Sequence, residues 1–144
     1  MSEPLNLAYR FPGDNLLDIP MLGHTPLRRV PDWLIPYRQR SVDREKVKGA
    51  GLHFFIEDYL FEAEWNRPGQ AVKGLAAYEA VLTPDFSLYR DWPLVAQMWN
   101  VYRSRWCGAY WQANGLTVIP TVSWSTAASY EFCFLGIPRY SVVA

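Results

Sequence analysis

Asp85 follows Pro84 and stands beside Phe86 and Ser87, where the chain has just left the apolar run Ala80 to Thr83. A carboxylate in that position can act as a general base, a metal ligand or an acceptor for a substrate hydroxyl. Aspartate also bonds its own backbone in turns, and that structural role competes with the functional one. Ser123 and Ser125 flank Trp124 at the end of another apolar run, Val118 to Val122. A nucleophilic serine needs a base within hydrogen-bond reach. The chain offers His24 and His53, neither in a recognisable frame, and lacks a Gly-x-Ser-x-Gly turn, so no hydrolase triad is expected. Trp124 is suited to walling a pocket or to packing in a core. Asp58, after the run Leu52 to Ile56, stands at a helix start, where capping explains an acid as well as ligand binding does.

These three polar tips share a context: each closes a short apolar run. In sheets built from βαβ units, side chains at the carboxyl ends of the strands meet ligands. The pattern from Gly51 onward therefore predicts Asp58, Asp85 and Ser123 on one rim. Strands are expected over Leu52 to Ile56, Ala80 to Thr83, Leu116 to Val122 and Tyr140 to Ala144. Helical segments should follow Asp58 and cover Gln70 to Tyr78, and a short helix capped by Ser125 or Thr126 should end at Gly136. The longest helix should start near Asp91 as N-cap, with Pro93 in its first turn, and stop at Asn114-Gly115.

Along that helix Leu94, Val95, Met98, Trp99, Tyr102, Trp106, Ala109 and Tyr110 recur at the spacing of a buried face. Gln97, Asn100, Ser104, Cys107 and Trp111 trace a second stripe beside it. Arg103 and Arg105 cannot share a face. One is expected in solvent and the other toward the strand ends or a carboxylate such as Asp85. The alternation predicts an α/β fold, a partial parallel sheet of about four strands with crossover helices, open or half-barrel-like.

Residues 1–50 read differently. Six of the eleven prolines fall at or before Pro36, including Pro4 and Pro26, which excludes a long helix or a central strand. The stretch reads as an extended arm before a domain of residues 51–144, held down by residues such as Ile19, Leu22 and Trp33. Arg28, Arg29, Arg38, Arg40, Arg44, Lys46 and Lys48, interleaved with Trp33 and Tyr37, either follow a phosphate backbone or form a solvated face.

Half of the 144 residues are hydrophobic and 16% are aromatic, so the chain is globular. Fourteen basic residues balance fourteen acidic ones, which argues against a protein devoted to nucleic acid or an acidic membrane. Cys107 and Cys133 have neither metal-ligand nor disulfide-framework spacing and fit core packing in a reducing compartment. With no signal peptide and no membrane-length apolar run, a cytoplasmic protein is expected. Phosphate-binding glycine motifs are absent and histidine is scarce, so no cofactor and no metal is expected.

Several motifs together resemble a known family. They are HFFIEDYLFEAEW (His53 to Trp65), AVLTPDFSLY (Ala80 to Tyr89), the helix with Trp99-Asn100 and Tyr102-Arg103, GAYWQ (Gly108 to Gln112), VIPTVSW (Val118 to Trp124) and FCFLGIP (Phe132 to Pro138). They resemble the bacterial, phage- and plasmid-associated domain-of-unknown-function family forty-four seventeen over Leu52 to Ala144. The resemblance implies an association with mobile elements and members that continue beyond the strand at Tyr140 to Ala144. It supplies no reaction.

Three functions follow as expectations. The first is an accessory protein of a mobile element that binds a host macromolecule, foremost a host protein, and that can also pair with a second copy to complete its sheet. Its binding residues would be Asp58, Tyr89, Asn100, Trp111, Trp124, Trp33, Arg38 and Arg40, in keeping with the enrichment of Trp, Tyr and Arg at hot spots. The alternative is an enzyme on a phosphorylated or nucleotide-like substrate, with Asp85, Ser87, Ser123 and Arg103 gathered at the strand ends. The third is a nucleic-acid binder using the basic arm.

Overall fold

A computed structural model describes residues 5–24 and 29–144. Pro4, Pro26 and Arg28 lie outside the described residues. Four parallel strands, β1 (Trp33–Pro36), β2 (Ala50–His53), β3 (Ala80–Leu82) and β4 (Val118–Ile119), pair in the order β1-β2-β3-β4. Trp33 sits beside Ala50, Gly51 beside Ala80 and Val81 beside Val118. The sheet is open, an α/β layout with crossovers, as the alternation of elements predicts.

β2 and β4 form within or beside the apolar runs expected of them but stop sooner, and two further strands differ outright. The proline-rich stretch supplies β1, which lies at the sheet edge. An edge strand tolerates Pro36, because a missing N–H there interrupts no second ladder. Tyr140 to Ala144 forms no strand of its own. Tyr140 has a φ of 60°, which turns the chain before it can extend. Ala144 alone completes a parallel rung beside the exit of β4, donating to the Pro120 carbonyl at 2.9 Å and accepting from the Val122 N–H at 2.9 Å.

Among the described residues, four α-helices follow the strands. α1 (Ala63–Asn66) and α2 (Pro68–Leu75) come after β2, α3 (Leu94–Ala113) after β3 and α4 (Tyr130–Cys133) after β4. Asp58 opens a 3-10 turn, Asp58–Leu60, and Pro68 separates α1 from α2 by starting the second helix at a position where its missing N–H costs no helical bond. Pro93, not Asp91, occupies the cap position of α3, and Gln97 Nε2 reaches back to the Trp92 carbonyl at 3.0 Å. The far end closes as expected. Gly115, at φ 82°, lets its N–H bond the Gln112 carbonyl and the Leu116 N–H bond the Trp111 carbonyl, a Schellman ending. At α4 the Ser125 and Thr126 side chains do not cap. The Ser129 hydroxyl accepts from the Ser125 N–H at 3.0 Å and donates to the Thr126 carbonyl at 2.7 Å.

The main core is aromatic. Tyr37 stacks on Phe54 at 4.9 Å, Phe54 on Trp111 at 5.6 Å, and Phe61, Trp65 and Trp106 fill the space around them. The two stripes of α3 exchange the roles expected of them over its first half. Gln97, Asn100, Ser104, Cys107 and Trp111 are all buried, whereas Leu94, Val95 and Trp99 are exposed. The polar members can face inward because the strand exits beneath them offer partners. Ser104 Oγ, for example, lies 3.2 Å from Thr83 Oγ1.

Candidate functional site

Where β3 and β4 end, hydroxyls continue the pairing: the Thr121 N–H donates to Thr83 Oγ1 at 2.9 Å and Thr121 Oγ1 donates to the Thr83 carbonyl at 2.8 Å. This clamp fixes the exits from which the candidate residues emerge. Asp58, Asp85 and Ser123 do gather there. Asp58 accepts the Ser87 hydroxyl at 2.8 Å and the Ser87 N–H at 3.0 Å. Asp85 is hydrogen-bonded to Ser123. Burial raises its pKa above the usual carboxylate value, and the nearby Asp58 charge adds to the rise while the Ser123 bond opposes it.

The network then runs onto α3. Asn100 Nδ2 donates to the Ser87 carbonyl at 2.7 Å, and Arg103 donates to Asn100 Oδ1 at 2.7 Å. Arg103 pairs with Glu62 at 2.9 Å and lays its guanidinium 3.8 Å above the Phe86 ring. Its carboxylate is therefore Glu62, not Asp85. Arg105 does not reach solvent either. It is 2% exposed and donates to the carbonyls of Leu135, Thr121 and Cys133 at 2.9, 3.0 and 2.9 Å. Burial lowers its pKa to about 10, so it stays charged at neutral pH. Two arginines two residues apart both turn inward because α3 is flanked on both sides, by the Glu62 turn and by the α4 segment.

The cleft bounded by Asp85, Asn100, Ser104, Arg105 and Ser123 holds about 10 Å³, the space of one water. Its hydroxyls and carboxylates are bonded to each other, so the arrangement suits a tied-off polar seam better than a substrate pocket. The other expected binding residues lie apart from it. Tyr89 is exposed and leans on Trp92 at 4.7 Å. Trp124 is exposed near Tyr130, and Trp33 is exposed on β1. Arg38 is exposed, and Arg40 covers the Tyr37 ring at 3.9 Å. Trp111, by contrast, is 0% exposed inside the core, where no ligand reaches it. The two cysteines are free and buried, and burial raises both thiol pKa values.

Two features were not singled out from the sequence. One is an outward groove of about 340 Å³ between α3 and the N-terminal segment, lined by Leu17, Ile19, Val95, Met98, Trp99 and Tyr102. The other is a cavity of about 260 Å³ between the Tyr37–Arg40 turn and the α1–α2 face, which reaches Glu64. Glu64 is 1% exposed, and burial raises its pKa to about 7 against opposition from a Tyr37 hydrogen bond and the Arg40 charge. The available signal was an acid at helical spacing among Leu60, Phe61 and Trp65. Among the described residues no group of three or more His, Cys, Asp or Glu could hold a metal, and no helix is long and apolar enough to cross a membrane.

Residues 11–144 match the family described as "Domain of unknown function (DUF4417)". The chain belongs to this family. The match takes in most of the proline-rich stretch, beyond the Leu52 to Ala144 over which the motifs carried the resemblance. The chain is 47% identical over 144 residues to the Gene 1 protein of Mycobacterium phage D29, covering 99% of this chain and 52% of that protein. It is 46% identical over 143 residues to the Gene 1 protein of Mycobacterium phage L5, covering 99% of this chain and 62% of that protein. It thus spans between half and two thirds of the length of these relatives. Both are phage proteins, in keeping with the association the motifs implied. No solved structure matches.

Proposed function

We propose that this chain is a phage accessory protein that docks a host protein in the groove beside α3. The observation that supports this reading is the outward stripe Leu94, Val95, Met98, Trp99 and Tyr102. Val95 is 72% exposed and Trp99 38%, on a helix whose polar side chains are the buried ones. An apolar groove of about 340 Å³ with a Trp at its rim matches the way an amphipathic helix is received, anchored every three or four residues. Exposed Tyr89 and Trp92 extend the aromatic surface past the start of α3. The tied-off seam at Asp85 and Ser123 favours binding over catalysis, since a cleft of about 10 Å³ leaves no room for a nucleotide-like substrate.

The test starts from a host protein retained from lysate by the immobilised chain and then purified. Val95→Glu places a charge in the groove at a position that is itself 72% exposed. It is expected to weaken the purified partner's binding at least tenfold, whereas Asp85→Asn leaves it unchanged. Equal affinity for wild type and Val95→Glu removes the proposal. A native mass of twice 16.7 kDa that Val95→Glu returns to one chain assigns the groove to a second copy instead. Retention on single-stranded DNA that salt abolishes and Arg38→Glu removes favours the basic stretch.

A further inference from the structure

We propose that the cavity between the Tyr37–Arg40 turn and the α1–α2 face is a binding site for a small molecule carrying an anionic group beside an N–H donor, the anion held by Arg40 and Arg67 and the donor received by Glu64. The site stands apart from the α3 groove and does not depend on it. Its inner end is built by Glu64, whose Oε2 is buried and has no hydrogen-bond partner among the described residues. An acceptor left in that condition costs free energy until a donor reaches it. Glu64 lines a space of about 260 Å³ together with Tyr37, Arg40, Arg67, Gln70 and Gly74, where a β-carbon added at Gly74 would meet nothing within 4 Å.

Its mouth is cationic. Arg40 and Arg67 are exposed, and neither forms an ion pair with a carboxylate among the described residues. Arg40 donates one N–H to the Tyr37 carbonyl at 3.1 Å, and its guanidinium carbon lies 3.9 Å from the centre of the Tyr37 ring. The second guanidinium supplies the planar fork that receives carboxylate or phosphate. The cavity is smaller than the roughly 300–1,000 Å³ usual for drug-sized ligands, so its occupant is compact. Two compact classes present this chemistry, an α-amino acid and a nucleoside monophosphate whose base carries an amide or amino N–H. A ligand N–H at Glu64 favours the ionised carboxyl, so binding near neutral pH releases a proton.

Titration calorimetry at pH 7 with a panel of L-amino acids, with guanosine and uridine monophosphates and with inorganic phosphate alone tests the site. At least one amino acid or nucleotide is expected to bind, and the class that binds names the source. Glu64→Gln and Arg67→Ala should each weaken that binding at least tenfold, and the proton released by wild type, read from two buffers of different ionisation heat, should vanish in Glu64→Gln. Arg67 is exposed and outside the core, so its variant carries the test even if Glu64→Gln fails to fold. The proposal is overturned if no probe binds at millimolar concentration, if phosphate alone binds as well as every larger probe, or if Arg67→Ala leaves affinity unchanged.

Discussion

Glu64 shows how one side chain ties stability to pH. Its folded pKa of about 7 lies above the ordinary 4.5, so between those values the folded state holds a proton that the unfolded state has lost. Stability therefore falls as pH rises through that window, by about 3 kcal/mol, since each tenfold difference in proton affinity is worth about 1.4 kcal/mol. The groups facing the carboxyl are Tyr37 and Arg40 from the turn after β1 and the Cys107 thiol from α3. Urea melts at pH 5 and pH 8 should show the wild type less stable at pH 8, with Glu64→Gln losing most of that difference. An undiminished difference in Glu64→Gln contradicts the assignment. Arg105 works in the opposite sense, as a buried charge satisfied by three carbonyls in place of a carboxylate. Arg105→Ala leaves three carbonyls without these donors and, at about 1–3 kcal/mol for each acceptor left unpaired, should cost at least about 3 kcal/mol, read as a lower urea midpoint at unchanged slope. A loss below about 1 kcal/mol would mean that these three bonds contribute little. The sequence distinguished Arg103 from Arg105 only by face, because spacing reports direction and not what stands opposite. Glu62 and the carbonyl of Cys133 come from segments 41 and 28 residues away.

At the level of elements, the strand-helix alternation and the Asn114-Gly115 stop were legible because each rests on local chemistry. The gathering of Asp58, Asp85 and Ser123 followed, since parallel strands deliver their exits to one edge. The inside of α3 was not legible. Both stripes have the right period, and apolarity alone chose the wrong one over the first half, where hydroxyls and amides find partners at the strand exits. β1 was hidden for a related reason, since proline excludes a central strand but not an edge. Two glycines separate local from tertiary constraint. Gly115 and Gly136 both hold a left-handed φ, 82° and 78°, but a β-carbon at Gly115 meets open space while one at Gly136 runs into the Pro20 carbonyl and the Arg105 stem. Gly115→Ala should cost about 1 kcal/mol, the backbone penalty alone. Gly136→Ala should cost clearly more, because the Pro20 backbone must shift as well. Equal thermal midpoints for the two variants would contradict the packing described for the α4 segment.

Over the whole molecule, the N-terminal stretch belongs to the fold. Ile19 and Leu22 are buried, the Leu22 N–H bonds the Gly136 carbonyl at 2.9 Å, and the family match begins at Phe11. That stretch also forms one wall of the α3 groove through Leu17 and Ile19, so docking and folding draw on the same segment. A partner bound there should slow amide exchange in residues 15–22 and along the first half of α3 while leaving the Asp85 seam unchanged. The most direct measurement is the affinity of the purified host partner for wild type, Val95→Glu and Asp85→Asn. A loss of at least tenfold in Val95→Glu with none in Asp85→Asn is the predicted result. Unchanged binding in Val95→Glu, or a loss confined to Asp85→Asn, would contradict it.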